Sequence, residues 1–257
     1  MEAYESMRKL YLLVQTKYNK GVLFIRYFGG KTRTCKQIVE ILNTYRKDGQ
    51  VFLSPFVGGA WVESLLSSPK ECYDKHPYLI AMYKELQKGW LPPTTLTKEE
   101  YDYIKNNPDE KPYLTGFVGF GCSFAGKWFG GYAKDSSDRN YCMNAYNSIL
   151  KKLDNLKDTY FDCKDYQQIE PKGYLIYCDP PYEGTTQYSK TLVGDFNSKD
   201  FWDLMRQWSI HNTVIISEYN APEDFKCIWS QEVKLDMRDS ENKKKVRVEK
   251  LFTINNI

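Results

Sequence analysis

The sequence predicts an α/β fold built on a mainly parallel sheet, with one small inserted subdomain. Val51-Phe52-Leu53 and Tyr174-Leu175-Ile176-Tyr177-Cys178 are short apolar runs of the kind needed by strands covered on both faces. The first leads into the small-residue turn Pro55-Phe56-Val57-Gly58-Gly59-Ala60 and then into apolar residues at helical spacing, which is how a βαβ unit begins. From about Gly89 to Asn147 this alternation gives way to Pro92-Pro93, Asn106-Asn107-Pro108 and a stretch rich in glycine and aromatics, which marks an insertion. The 257 residues suffice for one core with an embellishment and not for two large domains. The expected division is a core of residues 1–88 and 148–257, interrupted by a subdomain of residues 89–147.

Taken in order, residues 1–20 have only modest periodicity and receive no function. Tyr27-Phe28-Gly29-Gly30-Lys31 is a glycine-rich loop feeding a helix marked by Ile38, Val39, Ile41 and Leu42 and closed by Lys47-Asp48-Gly49. After the first strand and its turn, Val62, Leu65 and Leu66 predict a second helix. Glu71-Cys72-Tyr73 predicts a strand ending at Asp74, and Tyr78, Leu79, Ala81, Met82 and Leu86 a helix behind it. The insertion, with Gly116 to Gly121 and Lys127 to Tyr132, reads as a small irregular domain. A helix returns from Tyr146 to Leu156, and after the Tyr174 to Cys178 strand come a helix at Phe201, Leu204, Met205 and Trp208 and the strand Thr213 to Ser217. Alternating Val233, Leu235, Met237 and then Val246, Val248, Leu251, Phe252 predict two antiparallel strands around the basic turn Lys243-Lys244-Lys245.

Net charge is only +3, from 36 Lys and Arg against 33 Asp and Glu, so a phosphate-binding face must come from local clustering. Seven Cys without a CxxC pair and only two histidines, His76 and His211, argue for reduced thiols and against a disulfide framework or zinc site. Nothing approaches 18 continuous apolar residues, and Met1-Glu2-Ala3-Tyr4-Glu5 lacks the apolar core of a secretory signal. The expectation is a cytoplasmic protein without a metal or a membrane partner. Absence of a P-loop pattern argues against a nucleotide triphosphatase.

Asp179-Pro180-Pro181-Tyr182 closes the best strand candidate, where open α/β sheets place their ligands. The run suits methylation of an exocyclic amino group, whose nitrogen is a poor nucleophile because its lone pair is delocalised into the ring. Acceptors for the amino protons make that nitrogen more tetrahedral. Asp179 offers one acceptor, and the Pro180 carbonyl, held extended by the two prolines, offers another. A base stacked on Tyr182 would gain about 1–3 kcal/mol, offsetting part of the cost of extruding it from a duplex. A Pro-Pro turn carrying Asp and Tyr for no chemical reason is the alternative.

Gly58 and Gly59 permit close approach of a ligand, and Asp74, at the end of the next strand, can accept hydrogen bonds from ribose hydroxyls. A tight strand-to-helix connection accounts for the glycines equally well. Gly29 and Gly30 admit a ligand carboxylate beside Lys31, though a solvated lysine at a helix N-terminus looks the same.

In this order, Tyr27 to Lys31, Pro55 to Ala60, Asp74 and Asp179 to Tyr182 resemble the alpha-group DNA adenine-N6 methyltransferases, the type that includes bacterial GATC methylases and phage relatives. Val248-Glu249-Lys250-Leu251-Phe252 is similar to that family's closing strand, so the resemblance spans nearly the whole chain. It implies a Rossmann-like core dependent on S-adenosyl-L-methionine (SAM) that methylates N6 of a flipped-out adenine at specific sites in double-stranded DNA. Carried over by position, Tyr27, Gly29, Gly30, Lys31, Pro55, Phe56, Gly58, Gly59, Asp74 and Asp179 correspond to cofactor contacts, and Asp165-Tyr166 to an acid-aromatic pair near the cofactor's adenine. Asp179, Pro180, Pro181 and Tyr182 correspond to the catalytic motif.

The insertion corresponds in location to the family's target-recognition region, and Lys127, Trp128, Arg139 and Asn140 are types suited to phosphate and base-edge contacts. Lys244, with Lys243, Lys245 and Arg247, resembles a C-terminal hairpin near DNA. The family's Phe-x-Gly-x-Gly pattern ends here in Ala60, small enough for most turns. The implied enzyme is a monomer of a bacterial or phage-infected cell that transfers the methyl by direct in-line displacement, which leaves Cys178 dispensable. N4-cytosine methylation, methylation of RNA or protein amides, and a catalytically silent DNA-binding relative are the alternatives.

Overall fold

The computed structural model describes residues 30–134, 139–182, 194–233 and 246–255, and the backbone alone of 234–238 and 244–245. Strands β1 (Phe52–Ser54), β2 (Lys70–Asp74), β3 (Thr159–Cys163), β4 (Leu175–Cys178), β5 (Thr213–Glu218), β6 (Lys226–Arg238) and β7 (Lys244–Thr253) make one sheet in the order β3-β2-β1-β4-β5-β7-β6. Pairings among the first five are parallel, and β7 runs antiparallel between β5 and β6. This is the mixed, mostly parallel Rossmann-like architecture. The chain winds outward from β1 through β2 to β3 and then returns to the other side of β1 as β4, which makes the β1/β4 junction the switch point.

The helices are α1 (Cys35–Tyr45), α2 (Pro77–Gln87), α3 (Lys98–Asn106), α4 (Pro112–Gly121), α5 (Tyr141–Leu156) and α6 (Ser198–Ser209). Alternation along β4 divides its side chains between two cores, as a strand covered on both faces requires. Leu175 and Tyr177 join Ile38 and Leu42 of α1, whereas Ile176 and Cys178 join Phe201 and Met205 of α6.

Several elements differ from the sequence expectation. Val62 to Leu66 forms only a 3-10 turn, Glu63–Leu65, because the chain must reach β2 within a few residues. β3, not anticipated, is a short edge strand that buries Thr159 and Phe161 and exposes Tyr160. α5 begins at Tyr141, ahead of the expected Tyr146. Residues 89–147 contain a helix pair instead of irregular chain. α3 starts at a capping box, in which Thr97 accepts from the Glu100 N–H while the Glu100 carboxylate accepts from the Thr97 N–H.

In α4 the glycines permit close packing. A Cβ on Gly116 would lie 2.0 Å from the Tyr78 carbonyl oxygen, and one on Gly119 2.3 Å from the Trp128 ring. Tyr101, Phe117, Val118, Phe120 and Cys142 share one core with Leu79, Ile80 and Met82 of α2. Among the described residues no helix is long and apolar enough to cross a membrane, and no group of three or more His, Cys, Asp or Glu could hold a metal ion.

Gly116→Ala is expected to destabilise the fold by about 1–3 kcal/mol through overpacking. In contrast, Ala60 has φ +51°. Ala60→Gly should therefore change stability by less than about 1 kcal/mol, since relief of the left-handed conformation offsets loss of a buried methyl. Urea titrations of both variants provide the comparison.

Candidate active site

Beyond the C-terminal ends of β1, β2 and β4 lies a cavity of about 510 Å³, within the usual range for a small-molecule site. The glycine turn at its floor is held from several sides. Val57 N–H donates to the Tyr73 carbonyl (2.9 Å), Gly58 N–H to Asp74 Oδ2 (3.0 Å), Tyr83 hydroxyl to the Gly58 carbonyl (2.7 Å) and Lys152 ammonium to the Gly59 carbonyl. Gly58 (φ +45°) and Ala60 (φ +51°) both adopt left-handed conformations, so the turn asks at position 60 for the glycine this chain lacks.

Asp74 also accepts from the His76 N–H at 3.0 Å. Burial raises its pKa to about 6 against the opposing pull of these two N–H donors. Asp165 caps the short turn Tyr166–Gln168 through the Gln167 N–H, and its Oδ2 pairs with Lys75 Nζ at 2.7 Å. Phe56 leans against Tyr166, with centroids 5.1 Å apart, and both approach Phe196. These rings form an apolar wall in the same cavity as Asp74.

The other half is more strongly charged. Lys31, 6% exposed, anchors the turn before α1 through its carbonyl, which accepts from the Thr34 and Cys35 N–H groups. Its ammonium donates to Asp179 Oδ1 at 2.5 Å and lies 4.6 Å from the Tyr182 ring centroid. Burial raises the Asp179 pKa above the ordinary carboxylate value, and Lys31 opposes that rise. The Tyr182 hydroxyl donates to Glu249 Oε2 at 3.1 Å, while the Tyr219 ring meets its edge at 4.6 Å. Pro180 is buried and Pro181 half-buried at the same rim. The Cys178 thiol points away into the α6 core, where burial pushes its pKa well up and leaves it unreactive.

Thus the structure brings together Gly30, Lys31, Pro55, Phe56, Gly58, Gly59, Asp74, Asp165, Tyr166 and Asp179 to Tyr182 around one cavity. Tyr27 and Gly29 lie outside the described residues, and of Lys244 only the backbone, on β7, is described. Two of the expected DNA contacts, the half-buried Trp128 and the exposed Asn140, also have partners within the fold. The Trp128 ring packs between His76 (4.2 Å), Phe120 (4.9 Å) and Tyr78 (5.6 Å). Asn140 caps α5 by accepting from the Met143 N–H and ties it to the Thr94 carbonyl. Lys127 and Arg139 are exposed.

Phe196, Tyr219 and Glu249 escaped the sequence reading as site residues. Phe196 was detectable, since it precedes the N-cap Asn197 and packs on Phe201 at 5.3 Å, in a hydrophobic staple. The burial of Glu249 inside an alternating strand has no local signal.

A sequence model of the family described as D12 class N6 adenine-specific DNA methyltransferase matches residues 27–117 and 126–246. The seven-stranded sheet with its ligand-sized crevice at the switch point is the class of fold expected of such a transferase. The chain belongs to the D12 class N6 adenine-specific DNA methyltransferase family and is a DNA adenine methyltransferase. Comparison with the curated proteins gives no match. Among solved structures, it is similar to a Pyrococcus horikoshii protein provisionally assigned as an RNA methyltransferase, at 9% identity and a TM-score of 0.41, covering 91% of this chain and 89% of that one. It is also similar to a provisionally assigned methyltransferase solved with SAH, at 9% identity and a TM-score of 0.32, covering 90% of this chain and 55% of that one.

His76 gives the site region a pH signature. Burial lowers its pKa from 6.5 to about 4. Between these values the unfolded chain binds the proton and the folded one does not, so stability falls as pH falls through that window, by about 3 kcal/mol at most. In His76→Asn, which keeps an acceptor for the Leu79 N–H, this component of the pH dependence should be missing from chemical denaturation curves at pH 4 and 6.5.

Proposed function

We propose that this enzyme methylates N6 of adenine at specific sites in double-stranded DNA, with SAM as methyl donor and the adenine rotated out of the duplex into the crevice beside Asp179. The observation that carries this reading is the placement of an acid-Pro-Pro-Tyr run at the end of β4, in one cavity with the glycine turn after β1 and the acid at the end of β2. An amino group needs two acceptors, and a nucleoside cofactor needs a close backbone, an acid and an apolar wall; both sets line the same space.

In this reading Gly58 and Gly59 admit the cofactor, Asp74 accepts from its ribose, Phe56 and Tyr166 cover its adenine, and Lys31 faces its carboxylate. When bound, SAM supplies an electrophilic methyl group on a sulfonium. Asp179 and the Pro180 carbonyl accept hydrogen bonds from the two N6–H groups and direct the nitrogen's electron density into the cavity, Tyr182 covers the base, and one of the two N6 protons is lost once the methyl is in place. Catalysis then rests on orientation and on fixed charge, without a covalent enzyme intermediate. On the DNA side, the enzyme acts as a monomer and residues 89–147 are assigned to target recognition, with Lys127, Arg139 and the 64% exposed Phe124 at the contact surface and Lys244 of the C-terminal hairpin as a further contact.

Sequencing the DNA of cells with and without expression of this chain tests the reading. Methylated adenines in one sequence context are expected, and N4-methylcytosine or unmodified DNA would refute it. Asp179→Asn should lower the single-turnover rate by about 100-fold or more, the scale for removing one preorganised electrostatic group. SAM affinity measured by calorimetry should decline as pH falls below about 6, where Asp74 gains a proton and stops acting as a pure acceptor. Asp74→Asn should bind weakly with no such pH dependence.

A further inference from the structure

Lys31 stands between two carboxylates, of which only one lines the cavity. Its ammonium is 2.5 Å from Asp179 Oδ1 and 3.8 Å from Glu249 Oε2. Glu249 is 2% exposed, lies behind the cavity wall, and places its other oxygen, Oε1, 2.8 Å from Arg247 Nε. The Tyr182 hydroxyl donates to the same Oε2 that faces Lys31. Two acids and two cations therefore form one compact, charge-balanced cluster around Tyr182.

In the proposed function Asp179 accepts a hydrogen bond from the amino group of the target adenine, and the base lies on Tyr182. Lys31 here engages both groups, donating to Asp179 and covering the Tyr182 ring. The base and Lys31 thus meet on the Tyr182 ring and on Asp179, where each draws on the same carboxylate. A largely buried ammonium does not give up its counter-ion readily unless another is at hand. Glu249 is that other partner, already within reach and accessible to the lysine without any movement into the cavity.

Resting on the proposed function, we infer that Glu249 is a positioning residue: it is the second counter-ion that receives Lys31 when the target adenine takes Asp179 and Tyr182, while Arg247 balances the cluster. Glu249 touches neither base nor cofactor. It acts through Lys31 and fixes where that charge can go.

The test uses the full chain, SAM and a duplex carrying the methylated sequence that DNA sequencing identifies. Glu249→Gln keeps an acceptor for the Tyr182 hydroxyl and removes the charge. Its kcat/KM for DNA should fall roughly tenfold or more at a temperature where circular dichroism shows the variant and the wild type both fully folded. Lys31→Gln lowers activity by itself, and adding Glu249→Gln to it should cost less than about twofold more, the non-additivity expected of two groups acting as one. Equal cost of Glu249→Gln in both backgrounds would overturn the inference, as would Tyr182→Phe reproducing the whole Glu249→Gln effect.

A measurement on the wild-type chain does not depend on any variant's function. The Lys31 ammonium signal in ¹⁵N-lysine NMR, identified by its absence in Lys31→Gln, should shift when the duplex binds alongside sinefungin; an unmoved signal overturns the proposal. Absence of methyl transfer by the wild type would strike the functional reading instead, so the two failures are separately visible.

Discussion

The parallel pairing of β1 with β4, Phe52 against Leu175 and Leu53 against Ile176, brings side by side two strand ends whose onward connections diverge. The chain leaving β1 turns toward β2 and the outer strand β3, whereas the chain leaving β4 turns toward β5 and the hairpin. A crevice opens between them for the same reason in any sheet wound this way. Here the glycine turn forms one lip and Asp179 to Tyr182 the other, with Asp74 one strand further out. A one-residue slip in the β1/β4 register would turn Tyr177 and Cys178 to opposite faces and move Asp179 out of the crevice.

What surrounds that crevice is unusually charged for an interior. Glu63, Lys70, Lys152, Lys31 and Glu249 are all buried. Most are held by neighbouring polar groups: Glu63 accepts from the Ser54 hydroxyl, Lys70 donates to three backbone carbonyls, and Lys152 donates to Gly59 while lying over the Trp61 ring. Burial pulls the Glu63 and Lys152 pKa values toward each other, each to about 7. Such groups contribute little net stability, since desolvation offsets their attraction. Their effect is geometric: Lys152 fixes the glycine turn that frames the cavity, and Lys70, at the far end of β2, ties the chain after that turn to α5.

The sheet and the cavity-lining motifs were legible in the sequence because the signals involved are local. An unbroken apolar run implies a strand covered twice, and Asp179-Pro180-Pro181-Tyr182 carries its own geometry. What the sequence concealed is non-local. Gly116 and Gly119 read as loop residues, yet they are glycines because α2 and the Trp128 ring come too close for a side chain. The packing of the Trp128 ring against His76, Tyr78 and Phe120 was hidden in the same way, because His76 and Tyr78 lie some 50 positions away in the sequence. Edge strand β3 presents only Thr159 and Phe161 to the core, too few positions for a pattern. By contrast, the Thr97 to Glu100 capping box was local and could have placed α3.

Lys31 shows why a residue-by-residue assignment is incomplete. By sequence it belongs with the cofactor's carboxylate; in the fold its ammonium lies on Asp179 and Tyr182, in the half of the cavity assigned to the base. One cation cannot satisfy a cofactor carboxylate, Asp179 and Glu249 equally, so whatever draws it in one direction changes the other two. An anionic cofactor group that attracts Lys31 would leave Asp179 freer to accept a hydrogen bond from the amino group, which favours base entry. On the proposed function, the two halves of the crevice meet at this one side chain, and its change of partner requires no movement of the sheet.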